Sequence, residues 1–298
     1  MDRGIGQWVT KRAFLNGQRT ALVQGDTSFT YSDFDRRTNQ VASSLLRLGV
    51  RKGDRVAILL VNSVEFLEVL LGCAKIGAIT IPINVRLAGP EIGYILADSG
   101  ADVFVFHAPL AAAAVSALTE PGVRVRHTLR AGGAPADGEI PYTDLLSDGA
   151  PAPLDSDVEG RDPAFIMYTS GTTGRPKGAI STHRSMIANL QNTVFLITAT
   201  TAIINEKSAA AGGEPPETPT QPVALFTSPL FHVSGCHSTL VVGSLGGLKL
   251  VMIKGKFTPE GALQLISDER VTTWSTVPTM IWRTCEHPDR HEYDTSTV

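Results

Sequence analysis

Cysteine, aromatic residues and a dominant charge sign are all scarce in this sequence. Its 298 residues hold three cysteines, Cys73, Cys236 and Cys285, too few and too scattered for a disulfide framework. Each lies in an apolar stretch, so core packing in a reducing cytosol is expected. The 26 basic and 29 acidic residues leave a formal net charge of -3, with no general pull toward nucleic acid. The seven histidines form no metal pattern. His287 and His291 are four apart, but Pro288 lies between them and no glutamate takes the HExxH position. The opening residues (MDRGIGQWVTKRAFLNGQRT) lack the continuous apolar core of a signal peptide. No stretch reads as the roughly 18 apolar residues of a membrane-spanning helix. The expectation is a cytoplasmic chain with no transmembrane segment, peripheral membrane contact being left open.

The chain is 43% hydrophobic and 18% charged, with length for a large core and one or two domains. Residues 32–48 place Phe34, Val41, Leu45 and Leu48 on one helical face, open with Ser32-x-x-Asp35 and stop at Gly49. RVAILLV, residues 55–61, is a nearly continuous apolar run suited to a buried parallel strand. Ser63 can cap a helix ending at Gly77, followed by strand AITIPI at 78–83. A helix from Pro90 through Ala97, strand 102–106, helix 111–118 and strand 123–127 continue the alternation. This rhythm predicts an α/β fold with a largely parallel sheet, whose ligands sit beyond the carboxyl ends of its strands.

Residues 131–162 read as a surface connection between a first α/β subdomain, about 1–130, and a second, 163–298. The second half resumes with a strand at 164–168 and a helix from about Thr182. Residues 205–222 have a disorder-like composition and are expected to loop out. A strand at 223–227, the turn SPLFHVSG, an apolar helix around 239–242 and a strand at 248–253 follow. A helix near Pro259, a strand at 271–275 and a helix from Pro278 complete the pattern.

The densest chemical signal is YTSGTTGRPKG, residues 168–178. The hydrolase phosphate loop is GxxxxGK followed by Ser or Thr. Here Pro176 stands five residues after Gly171, and Gly178 follows Lys177, so that pattern fails twice. The residue types still suit polyphosphate. Gly171 and Gly174 let backbone N–H groups approach phosphate oxygens, Ser170, Thr172 and Thr173 donate hydrogen bonds, and Lys177 adds a point charge.

The string as a whole resembles the phosphate-binding signature of the adenylate-forming enzymes, which include acyl-CoA synthetases, peptide-synthetase adenylation domains and luciferases. The resemblance covers essentially the whole chain: residues 30–84 look like the family's N-terminal subdomain, and PLFHVSG, residues 229–235, like its next motif. It implies the N-terminal domain of such an enzyme, an α/β fold of largely parallel sheets flanked by helices. It also implies a two-step activation of a carboxylic acid: ATP gives an acyl-adenylate and pyrophosphate, and in CoA ligases a thiol then displaces AMP. On that resemblance Thr169, Ser170, Gly171, Thr172, Thr173, Gly174 and Lys177 serve the pyrophosphate, and Thr169 sits nearest Mg²⁺. Lys177 and His232 are the candidate catalytic residues. Amino-acid-activating relatives carry an aspartate where this chain has His232, so a fatty or aryl acid is expected, with a medium- or long-chain fatty acid first.

Family motifs that should come later are missing: the Tyr-Gly-x-Thr-Glu and Thr-Gly-Asp segments, the hinge and the small C-terminal domain. The chain is thus expected to be the N-terminal portion of an acid:CoA ligase, inactive alone and with apolar surface left uncovered. An aryl- or amino-acid-adenylating module and a non-catalytic nucleotide-binding protein are the rival readings.

Overall fold

The computed structural model describes residues 4–147, 150–152, 157–169, 174–210, 221–238 and 247–298. A short helix α1 (Gln7–Asn16) and the hairpin β1 (Thr20–Gln24) and β2 (Thr27–Thr30) lead into α2 (Tyr31–Arg47). The start of α2 is set by Thr30, two residues before the expected Ser32. The Thr30 hydroxyl accepts from the Asp33 N–H, and Asp33 accepts from the Thr30 N–H. That leaves Asp35 free for an internal role.

Next come β3 (Arg55–Leu59), α3 (Val64–Ile76), β4 (Ile79–Pro82), α4 (Gly89–Ser99), β5 (Val103–His107) and α5 (Ala111–Leu118). Ser63 caps α3 as expected, and Gly77 closes it at φ 73°, a left-handed conformation that favours glycine. The chain continues through β6 (His127–Ala131), β7 (Glu139–Pro141), α6 (Thr143–Ser147), β8 (Pro163–Thr169), β9 (Lys177–Thr182) and α7 (His183–Ala210). After β10 (Val223–Phe226), α8 (Val233–Ser238) and β11 (Lys249–Met252), it ends with α9 (Pro259–Glu269), β12 (Thr273–Ser275) and α10 (Pro278–Cys285).

Among the described residues the strands form two sheets, β7-β6-β5-β3-β4-β8-β9 and β12-β10-β11-β1-β2. Pairing is parallel except for the two edge strands β9 and β2. The fold is therefore α/β, with largely parallel sheets flanked by helices.

The sheets are not apportioned by residues 131–162. β1 runs beside β11 in the second sheet, and β8 runs beside β4 in the first. That stretch also contains β7 and α6, with Tyr142 buried, because Tyr142 reaches a buried glutamate.

The principal core gathers apolar side chains from α2, α3 and strands of both sheets, including Leu22, Val41, Phe66, Phe165 and Phe226. Every residue of α3 but Glu65 is buried, as a helix that is apolar on all sides requires. Two ionic groups share this interior. Lys75 Nζ donates to Asp35 Oδ1 (2.6 Å), Asn39 Oδ1 (2.5 Å) and Thr10 Oγ1 (3.0 Å). Glu68 accepts from Arg37 Nε and, at 2.6 Å, from the Tyr142 hydroxyl.

Several local expectations shift. The strand expected at 123–127 forms at His127–Ala131 instead, where Leu129 and Ala131 alternate inward in register with β5. Residues 177–182 form β9 before the helix starts, an edge strand whose Ile180 faces solvent and which therefore carries no burial pattern. Cys73 and Cys236 are buried, whereas Cys285 is exposed.

α7 runs on to Ala210, into the stretch expected to loop out; residues 211–220 and the expected helix at 239–242 lie outside the described residues. Contrary to expectation, α7 is long and apolar enough to cross a membrane by length and composition. Its buried residues are confined to the first turns, His183, Met186, Ile187 and Leu190, while Val194, Phe195, Leu196, Ile197, Ile203 and Ile204 are exposed.

His183 ties the start of α7 to the N-terminal segment. Its Nδ1 accepts from the Ile5 N–H at 3.2 Å, and its Nε2 is buried with no hydrogen-bond partner among the described residues. Burial of the imidazole, opposed by nearby Asp162, lowers its pKa from 6.5 to about 4. Between those values the unfolded chain binds the extra proton. This contribution to stability is therefore full above pH 6.5 and is lost as the pH falls to about 4. At ~1.4 kcal/mol per unit the full loss is about 3.5 kcal/mol. Denaturant unfolding from pH 7 to 4 should show this slope in the native chain and a shallower one in His183→Asn. Identical profiles would remove His183 as its source.

Candidate nucleotide-binding site

The string at 168–178 closes a β-hairpin. β8 ends at Thr169, β9 begins at Lys177, and these two residues are direct partners in the antiparallel register. Both are exposed at the carboxyl end of a parallel strand, where α/β sheets bind ligands. A hydroxyl and an ammonium thus flank the base of the loop. Gly174, just before the second stem, has φ 109°, a conformation that side chains disfavour. Ser170, Gly171, Thr172 and Thr173 lie outside the described residues.

Gly178, where a hydrolase loop would carry Ser or Thr, has a packing reason. A Cβ there would stand 2.6 Å from Ile166 Cγ2 and 3.3 Å from Tyr168 Cζ. The Tyr168 ring lies across its strand partner Gly178 and sends its hydroxyl to Asp98 Oδ2 at 2.6 Å. Burial and the Asp98 carboxylate push the Tyr168 pKa up, so this hydroxyl stays a donor.

His232 stands on the other sheet, in the turn after β10. It is exposed, its ring 5.2 Å from that of Phe231. Gly235 allows the turn to close on itself, since a Cβ there would lie 1.9 Å from the Pro229 carbonyl oxygen. The sequence reading missed the residue that holds this turn, Asn62, just after β3. Its Nδ2 donates to the Ser228 carbonyl (2.7 Å), and its Oδ1 accepts from the Leu230 N–H (2.8 Å). Gln24 Nε2, at the end of β1, donates to the Asn62 carbonyl (2.9 Å) and the Ile253 carbonyl (3.3 Å). Four parallel strands from two sheets are thereby joined at their carboxyl ends. A short polar residue after an apolar strand was the available signal, but nothing local names its distant partners.

The structure thus brings Thr169 and Lys177 together and places His232 on a separately braced turn. Among the described residues no three metal-ligating side chains lie together. Thr169 offers one neutral oxygen, while magnesium sites use carboxylates and phosphate oxygens, so these residues do not fit a magnesium site of their own.

Residues 9–298 match the profile of the AMP-binding enzyme family. The chain is 35% identical over 301 residues to a feruloyl-CoA synthase of Amycolatopsis sp., spanning 100% of this chain and 53% of the relative. It is 33% identical to the long-chain-fatty-acid–CoA ligase FadD13 of Mycobacterium tuberculosis, over 98% of this chain and 53% of that protein. It therefore spans about half the length of these curated relatives. Among solved structures, the inhibitor-bound N-terminal domain of FACL13 from Mycobacterium tuberculosis superposes with a TM-score of 0.79 at 32% identity. That likeness covers 98% of this chain and 67% of the other. The loop's strand–turn–strand setting, the two parallel sheets and the match over nearly the whole length agree: this chain belongs to the AMP-binding family of adenylate-forming enzymes.

Proposed function

We propose that this chain is the nucleotide-binding portion of an acid:CoA ligase. In the complete enzyme a carboxylate attacks the α-phosphate of ATP, pyrophosphate leaves, and CoA displaces AMP from the acyl-adenylate. The observation that carries this reading is the Thr169–Lys177 pairing at the mouth of a family-specific loop. Lys177 would neutralise charge on the departing pyrophosphate, because such transfers depend on positioning and electrostatics. His232, braced through Asn62, would border the acyl group. A histidine there offers no counter-charge to an ammonium, which supports a fatty acid, medium- or long-chain, over an amino acid. An aryl-propenoic acid is the second reading, supported by the 35% identity to a feruloyl-CoA synthase.

Titration calorimetry with ATP and with pyrophosphate tests the nucleotide role on the chain itself. Lys177→Ala should weaken both about tenfold, the size of one charge-assisted contact. Equal affinities would remove Lys177 from the site. Pyrophosphate exchange by the complete gene product over fatty, aryl and amino acids discriminates the substrate. Exchange with amino acids alone would refute the acid class.

A further inference from the structure

The family string explains neither why α4 reaches across to the loop nor what it does there. Its polar contacts engage opposite stems. On the first stem, the Tyr168 hydroxyl donates to Asp98 Oδ2 at 2.6 Å. On the second, the Tyr94 hydroxyl donates to the Pro176 carbonyl at 3.1 Å. The Arg175 guanidinium also lies 5.2 Å above the centre of the Tyr94 ring, within cation–π range. Tyr94 and Asp98 are four apart and so share one face of α4, while Ile92, Ile95 and Leu96 anchor the helix in the core.

We propose that Tyr94 and Asp98 are positioning residues for the nucleotide loop: α4 grips both its stems and sets the spacing between Thr169 and Lys177. The inference deepens the nucleotide reading above and rests on it for its functional consequence. β9 is an edge strand with exposed side chains, so little apolar burial holds Lys177 in place. Pro176 has no N–H, and its carbonyl is the group that Tyr94 takes up. A rigid stem matters because a flexible lysine must be held before phosphate arrives to bind with full effect.

The test uses the whole chain with Tyr94→Phe, Asp98→Asn and the double variant. Trypsin reports the second stem directly, since the Lys177–Gly178 bond is cleavable whereas the Arg175–Pro176 bond is refractory. Cleavage after exposed Lys256, in the loop that follows β11 of the other sheet, serves as internal standard. The expected result is a rise of about fivefold in the Lys177 to Lys256 cleavage ratio, the size of one lost hydrogen bond. ATP affinity should fall by a similar factor, with unchanged thermal midpoints. A merely structural role would lower the midpoint and raise both cleavages together, and that pattern overturns the proposal. So does an unchanged ratio in both single variants. If the ratio rises but the native chain does not bind ATP, the clamp stands and the nucleotide reading falls.

Discussion

Replacing Lys75 with methionine should lower unfolding stability by about 3–5 kcal/mol, among the largest single-residue effects available in this fold. Lys75 Nζ is buried on α3 and donates to Asp35, Asn39 and Thr10, while Thr10 donates in turn to Asp35 at 2.6 Å. Burial lowers the lysine's pKa, and the Asp35 carboxylate opposes that fall. Removing the ammonium leaves Asp35 as an uncompensated buried charge with only neutral donors. The control is Lys75→Met combined with Asp35→Leu, which removes both charges and should recover much of the loss. Urea unfolding of the single and double variants measures it. A single variant within 1 kcal/mol of the native chain would contradict the assignment of this pair as a buried ionic lock.

Phe165→Ala should cost about 3–5 kcal/mol, and Phe165→Leu less, about 1 kcal/mol. The ring is fully buried on β8, pairs in register with Thr80 of β4 and lies 6.1 Å from the His237 ring of α8. It thus fills the core beneath the strand that presents the loop and touches the helix following the His232 turn. Alanine there opens a cavity under both parts of the site. The expected signature is lost stability together with faster proteolysis after Lys177, since among the described residues β9 pairs with β8 alone. A full stability loss with the hairpin still protected would show that the loop stems stand independently of this core position.

The two variants probe different kinds of legibility. Phe165 sits in an apolar run, and its burial follows from the composition of that run. Nothing near Lys75 in the chain announces that it is interior, because its partners lie 36, 40 and 65 residues away. The same contrast runs through the site. Ser63 and Gly77 bound α3 as local capping chemistry requires. The capping signal at α2 was also present, but Thr30 rather than Ser32 takes the position, since both residues begin an acidic capping pattern. β9 escaped detection because an edge strand is held by backbone hydrogen bonds to β8 and needs no apolar alternation.

Local physics, readable from the residues alone, determined the α/β class, most helix and strand positions and the glycine- and hydroxyl-rich string whose resemblance pointed to the family. Each depends on caps, on periodicity or on a contiguous motif. Tertiary structure decided how the strands divide between two sheets, with β1 and β8 each crossing to the sheet of the other half. It also decided that Asn62 braces the His232 turn and that Tyr94 and Asp98 meet the loop stems. Those contacts join residues 70 to 168 positions apart, and their energy appears only when the chain brings them together.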